Sequence, residues 1–109
     1  MNTRFAKTPE PPYYVVVFAS QRAGADEDYD ATAAAMFRLA QDQPGFLGAE
    51  SARDASGFGI TVVYFADEAA IKAWKENAQH LAAQKLGRER WYARYTVKVA
   101  KVERAYSGP

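Results

Sequence analysis

Two runs in this chain are apolar on both of their alternating faces, and no other feature constrains the fold as strongly. From Tyr13 to Ala19 the run Tyr-Tyr-Val-Val-Val-Phe-Ala is β-branched or aromatic at almost every position, which fits a strand buried on both sides. Phe58 to Phe65 repeats the pattern, with Phe58, Ile60, Val62 and Tyr64 on one face and Val63 and Phe65 on the other. Such strands belong at the centre of a sheet that is covered by one layer above and another below.

The segments between them supply one of those layers. Tyr29, Thr32, Ala33, Met36, Phe37 and Ala40 recur at spacings of three and four, predicting an amphipathic helix opened by Asp26, Glu27, Asp28 and Asp30 and ended before Pro44-Gly45. Four acids there suit a helix dipole and carry no calcium-loop spacing. Phe46 to Arg53 is weak in β-formers and suits a sheet edge. Asp54-Ala55-Ser56-Gly57 reads as a hairpin turn. Asp67 can cap a helix from Glu68 whose first buried turn holds Ile71 and Trp74. Helical composition resumes from Ala78 to Arg88, with Gly87 near its end. The last strand is expected from Trp91 to Arg104, with Trp91, Ala93, Tyr95, Val97 and Val99 on one face and Tyr92, Arg94, Thr96 and Lys98 on the other.

Strand, helix, strand, strand, helix, strand is the split βαβ order of an α+β, ferredoxin-like sandwich whose first and third strands lie in the middle. Residues 13–106 form that single domain, and residues 1–12, with Pro9, Pro11 and Pro12, read as an extended, mobile leader. Two helices cover only one face of a four-stranded sheet. The other face would expose a patch too large for a monomer, which implies a second sheet from an identical chain: a homodimer, the paired sheets closing into an α/β barrel.

Composition removes whole classes of function. With no cysteine and one histidine, disulfide scaffolds, thiol chemistry, zinc and iron–sulfur sites are out of reach. No apolar run approaches the roughly 18 to 20 residues of a membrane helix, and no signal-peptide core is present, so a cytoplasmic protein with no membrane partner is expected. Net charge is +1, but residues 85 to 109 hold seven basic and two acidic side chains. That tail, interleaved with Tyr92 and Tyr95, lacks the motif that sets aromatics on central strands for bases, so no nucleic-acid partner is expected. Gly57-Phe58-Gly59 precedes a strand, which removes it as a dinucleotide fingerprint, and no phosphate loop or nucleophile elbow occurs.

From Tyr13 to Tyr106 the chain resembles the antibiotic biosynthesis monooxygenase family of dimeric α+β barrels. The likeness is carried by Pro44-Gly45-Phe46, by Tyr64-Phe65 at a strand end, by Trp74, by His80-Leu81-Ala82-Ala83-Gln84 leading to Gly87-Arg88, and by Trp91-Tyr92-Ala93-Arg94-Tyr95. It implies a homodimer with a pocket in each subunit between sheet and helices, and a small aromatic molecule as ligand. It also implies a monooxygenase that oxidises an aromatic or quinol-type substrate with O₂ and no metal or flavin. The chemistry is accessible because a deprotonated, electron-rich phenol can itself reduce O₂, leaving the protein to bind it, stabilise its anion and exclude water.

Against that expectation His80, the only imidazole, is the candidate catalytic base or hydrogen-bond donor. Trp74, Tyr64, Asn77, Arg88 and Tyr92 are the candidate substrate-binding residues. Four of them have a plainer role: Trp74 and Tyr64 as core, Arg88 as a helix C-terminal charge, Tyr92 as edge-strand surface. Trp74 and His80 are six residues apart, about 240° around a continuous helix, so they share a pocket only if the helix breaks near Asn77. Haem-degrading relatives carry an asparagine in the first strand and a ligand histidine ten residues after the tryptophan. Here that position is Gln84, and residues 13–21 contain no asparagine, which disfavours haem. A non-catalytic small-ligand-binding or stress-associated dimer, its pocket filled by its own side chains, is the other alternative.

Overall fold

A computed structural model describes residues 4–24 and 27–109. β-branched and aromatic side chains hold the chain extended over β1 (Tyr13–Arg22), β3 (Phe58–Phe65) and β4 (Tyr92–Val102), and β2 (Phe46–Arg53) completes one antiparallel sheet in the order β2-β3-β1-β4. The two doubly apolar strands are the central ones. Helices α1 (Glu27–Gln41), α2 (Glu68–Glu76) and α3 (Ala78–Leu86), followed by a π-helical turn (Gly87–Trp91), complete the α+β, ferredoxin-like sandwich. Among the described residues no helix is long and apolar enough to cross a membrane. Asp26, one of the acids expected to open α1, lies outside the described residues, as do residues 1–3 of the leader and the side chain of Glu27.

Local chemistry sets the element ends. Asp54 Oδ1 accepts from the backbone N–H groups of Ser56 and Phe58 and from the Ser56 hydroxyl, closing the β2–β3 hairpin over Gly57 at φ +92°. Asp67 Oδ1 accepts from the Ala70 N–H at 2.8 Å and caps α2. Gly45, at φ +84°, lies so close to α2 that a Cβ on it would stand 2.6 Å from that of Ala70.

Strand register sorts the side chains. Tyr14, Val16, Phe18 and Ser20 of β1 share a face with Phe65, Val63, Thr61 and Gly59 of β3. On this face Arg53 of β2 reaches Ser20 of β1 and Tyr29 of α1, and Phe65, 1% exposed, meets Phe46 edge-on. The opposite face carries Tyr13, Val15, Val17 and Ala19 beside Tyr64, Val62 and Ile60, with no helix across it. At one end the leader lies along this face: the Ala6 N–H donates to Glu50, and the Thr8 and Tyr13 hydroxyls are 3.0 Å apart.

Three expectations are corrected. Phe37 is 47% exposed, because α1 rests on the sheet along Tyr29, Thr32, Met36 and Ala40 and Phe37 lies beyond that stripe. Trp91 falls in the π-helical turn and not in the last strand. Tyr92 does not share a face with Arg94 and Thr96: a register shift between Gln21 and Arg22 swings it round to pack on Phe18 and Tyr95 on the helix side. The row Tyr95, Val97 and Val99 belongs to that same side, yet Val97 is 53% exposed and Val99 51%.

Candidate functional site

A polar residue at a helix end builds the first cluster. The Asn77 side-chain oxygen accepts from the N–H groups of Gln79 and His80 at 3.0 and 3.2 Å, starting α3, while its own N–H donates to the Trp74 carbonyl and finishes α2. The chain therefore turns at Asn77, φ −58° and ψ 128°, and the two helices are not coaxial. That break stacks the His80 imidazole on the Trp74 indole, centroids 4.1 Å apart and planes 13° from parallel. His80 Nδ1 lies 2.9 Å from the Trp74 carbonyl oxygen. A carbonyl only accepts, so Nδ1 carries the proton and Nε2 the lone pair in the neutral ring. Burial lowers the His80 pKa from its ordinary 6.5, the Trp74 carbonyl opposing it, so the ring is neutral at pH 7. Gln84 Nε2 lies 3.2 Å from Nδ1 and donates to the Lys75 carbonyl.

The other expected site residues are placed elsewhere. Asn77 spends its side chain on the α3 cap. Arg88 is exposed on the π-helical turn. Tyr64 lies on the sheet face opposite the helices, where its hydroxyl donates to Glu50; burial and that carboxylate push its pKa up to about 12. Tyr92 joins a second cluster at the far end of β1, with Ser20, Arg22, Tyr29, Arg53 and Trp91.

In this cluster Arg53 donates to the Ser20 carbonyl and hydroxyl, to the Gly57 carbonyl and to the Tyr29 hydroxyl. The Arg22 guanidinium lies 3.9 Å over the Tyr29 ring. The Tyr92 hydroxyl donates to that of Tyr29 at 3.3 Å, and burial with this bond raises its pKa far above the usual phenol value. Sequence reasoning missed Arg22, Tyr29 and Arg53 as site residues. No spacing links positions 22, 29, 53 and 92, which meet only through strand pairing and the return of α1 across the sheet.

Among the described residues no three histidine, aspartate or glutamate side chains gather as metal ligands. Surface concavities among the described residues include one of about 520 Å³ at Lys101, Glu103 and Arg104 and one of about 140 Å³ at the sheet end around Ala19, Phe58, Arg94 and Tyr95. Neither is lined by Trp74 or His80.

Residues 12–86 match the family model described as antibiotic biosynthesis monooxygenase. The uncharacterized protein YqjZ of Bacillus subtilis is 52% identical over 99 residues, spanning 91% of this chain and 87% of that protein. Protein SO0527 of Shewanella oneidensis superposes at TM-score 0.74 and 15% identity over 90% of this chain and 97% of its own. SnoaB, a cofactor-independent oxygenase from Streptomyces nogalater, superposes at TM-score 0.71 and 15% identity over 91% and 99%. The two distant structures share the fold, while the family match covers both central strands, the Asn77 break and the Trp74–His80 stack. This chain belongs to the antibiotic biosynthesis monooxygenase family.

Proposed function

We propose that this chain is the subunit of a homodimer that oxidises a small aromatic or quinol-type substrate with O₂ and without a resident cofactor. The observation that carries the reading is the Trp74–His80 stack at the helix break. It combines a flat apolar ring surface with a neutral imidazole whose proton is held on Nδ1, leaving Nε2 as a base. Family membership and the fold shared with SnoaB, itself a cofactor-independent oxygenase, support it.

In this scheme His80 Nε2 accepts the phenolic proton and Trp74 orients the ring system. That proton is, in the keto tautomer, one of the two hydrogens of an aryl methylene. The delocalised anion transfers an electron to O₂, the two radicals combine at this carbon, which now carries one hydrogen, and the peroxide anion takes the proton back from His80. The peroxide then loses water: one oxygen atom remains as the new carbonyl, and the other leaves with the two methylene hydrogens, so no external reductant is required. General-base assistance of this kind is worth on the order of 10²- to 10⁴-fold in rate.

The test is O₂ uptake with reduced polycyclic phenols. His80→Ala is expected to lose at least about 10²-fold while light scattering still shows a dimer; unchanged uptake would remove His80 from the reaction. A second reading is a non-catalytic dimer whose pocket is filled by its own side chains, in keeping with the His80 imidazole lying flat against the Trp74 indole. It predicts no O₂ uptake with any phenol. Haemin titration separates the haem alternative, which requires a saturable Soret shift at one equivalent per chain and Soret loss on adding a reductant in air.

A further inference from the structure

The second cluster contains donors without acceptors. Arg22 Nε and Nη2 and Trp91 Nε1 are buried and make no hydrogen bond. Both residues sit against one ring: the Arg22 guanidinium lies over the face of Tyr29, and the Trp91 indole meets Tyr29 edge-on at 5.5 Å. A guanidinium stays charged in a protein and an indole N–H only donates. Burying such groups unpaired is costly, and the missing partner must be an acceptor. Nearby Arg53 does not relieve the charge, since its contacts are neutral oxygens of Ser20, Gly57 and Tyr29. Among the described residues neither Arg22 nor Arg53 has a carboxylate partner. Two cations, an indole donor and the hydroxyls of Tyr29 and Tyr92 therefore share one corner of the helix side with no anion.

We propose that this corner is a binding site for the carboxylate of a flat aromatic ligand, held side-on by Arg22. The two orphan nitrogens Nε and Nη2 form the guanidinium edge that matches a carboxylate with two parallel hydrogen bonds. The rings of Tyr29, Trp91 and Tyr92 in this corner favour a planar anion. Arg22 as a whole is only half-buried, but its Nε–Nη2 edge is covered, so a ligand reaches that edge by displacing the side chains that lie over it. The site does not depend on the oxidative reading above, because binding is measured without turnover.

The experiment is a ¹⁵N correlation spectrum of the full chain, titrated with sodium benzoate, inorganic phosphate or chloride at constant ionic strength. The chain has two tryptophans, and Trp74→Phe assigns the indole signals. Benzoate is expected to shift the Trp91 indole N–H saturably, chloride to leave it, and Arg22→Gln to weaken binding at least tenfold. Arg22→Lys, which keeps the charge but loses the fork, is expected to weaken it several-fold while melting near the parent temperature, which separates loss of binding from loss of fold. No saturable shift, unaltered saturation in both variants, or saturation by phosphate alone overturns the proposal. So does binding that emerges only in Asp26→Asn/Glu27→Gln, which would mean that the chain's own acids occupy the Arg22 edge.

Discussion

His80 illustrates how much one residue owes to its neighbours. The sequence marks it as the only imidazole, but the neutral state, the tautomer and the stack on Trp74 all follow from where α2 stops. Its pKa is lowered on folding, so the unfolded chain binds the proton more readily. Stability is therefore fully present above about pH 6.5 and falls as pH drops below that value towards the folded pKa. Melting temperatures between pH 7.5 and 5 are expected to decline, and to decline less in His80→Gln. Tyr64 teaches the opposite lesson. It was legible as a candidate only by likeness, and strand register places it across the sheet from His80, bonded to Glu50. Tyr64→Phe is expected to cost about 1 kcal/mol, a buried hydrogen bond's usual net worth, without changing the activity of the Trp74–His80 site. An O₂-uptake loss in that variant at unchanged stability would bring Tyr64 back into the chemistry.

At the scale of elements, punctuation residues carried the fold. Asp54, Asp67 and Gly57 act as their types suggest, and the weak β-former run from Phe46 forms an edge. Asn77 matters most, because one side chain ends one helix environment and starts another. Asn77→Ala is expected to cost about 1 kcal/mol of cap energy and to loosen the stack, read as a changed Trp74 emission; an unaltered emission would mean that packing alone holds the two rings. Gly45→Ala is expected to be more severe, about 2 kcal/mol or more, since it combines a left-handed backbone with contact on Ala70. Thermal or urea unfolding decides both. What stayed illegible at this scale was the β1–β4 register shift. A one-residue slip turns a side chain to the other face, and nothing local at Gln21 or Tyr92 announces it.

For the whole molecule the telling quantity is surface. The chain exposes 7846 Å², against about 6,000 Å² expected of a compact monomer of this mass, and its radius of gyration is 14.3 Å where about 13 Å is usual. Phe5 and Tyr106 near the chain ends contribute to it, as do Phe58 and Ile60 of the open sheet face and Tyr95, Val97 and Val99 along β4. The homodimer proposed above covers such a surface. Ile60→Glu is expected to yield a monomer in light scattering at micromolar concentration, and a parent chain that itself runs as a 12 kDa monomer would overturn the dimer. The alternation of apolar residues by itself determined the central strands and the helix layer, because burial patterns are written at spacings of two and of three to four. Which distant residues share a corner was decided only by tertiary structure. The meeting of Arg22, Tyr29, Arg53 and Tyr92, and the tautomer of His80, depend on strand register and on one helix break, which are settled by the packing of the chain as a whole and by no local run of residues.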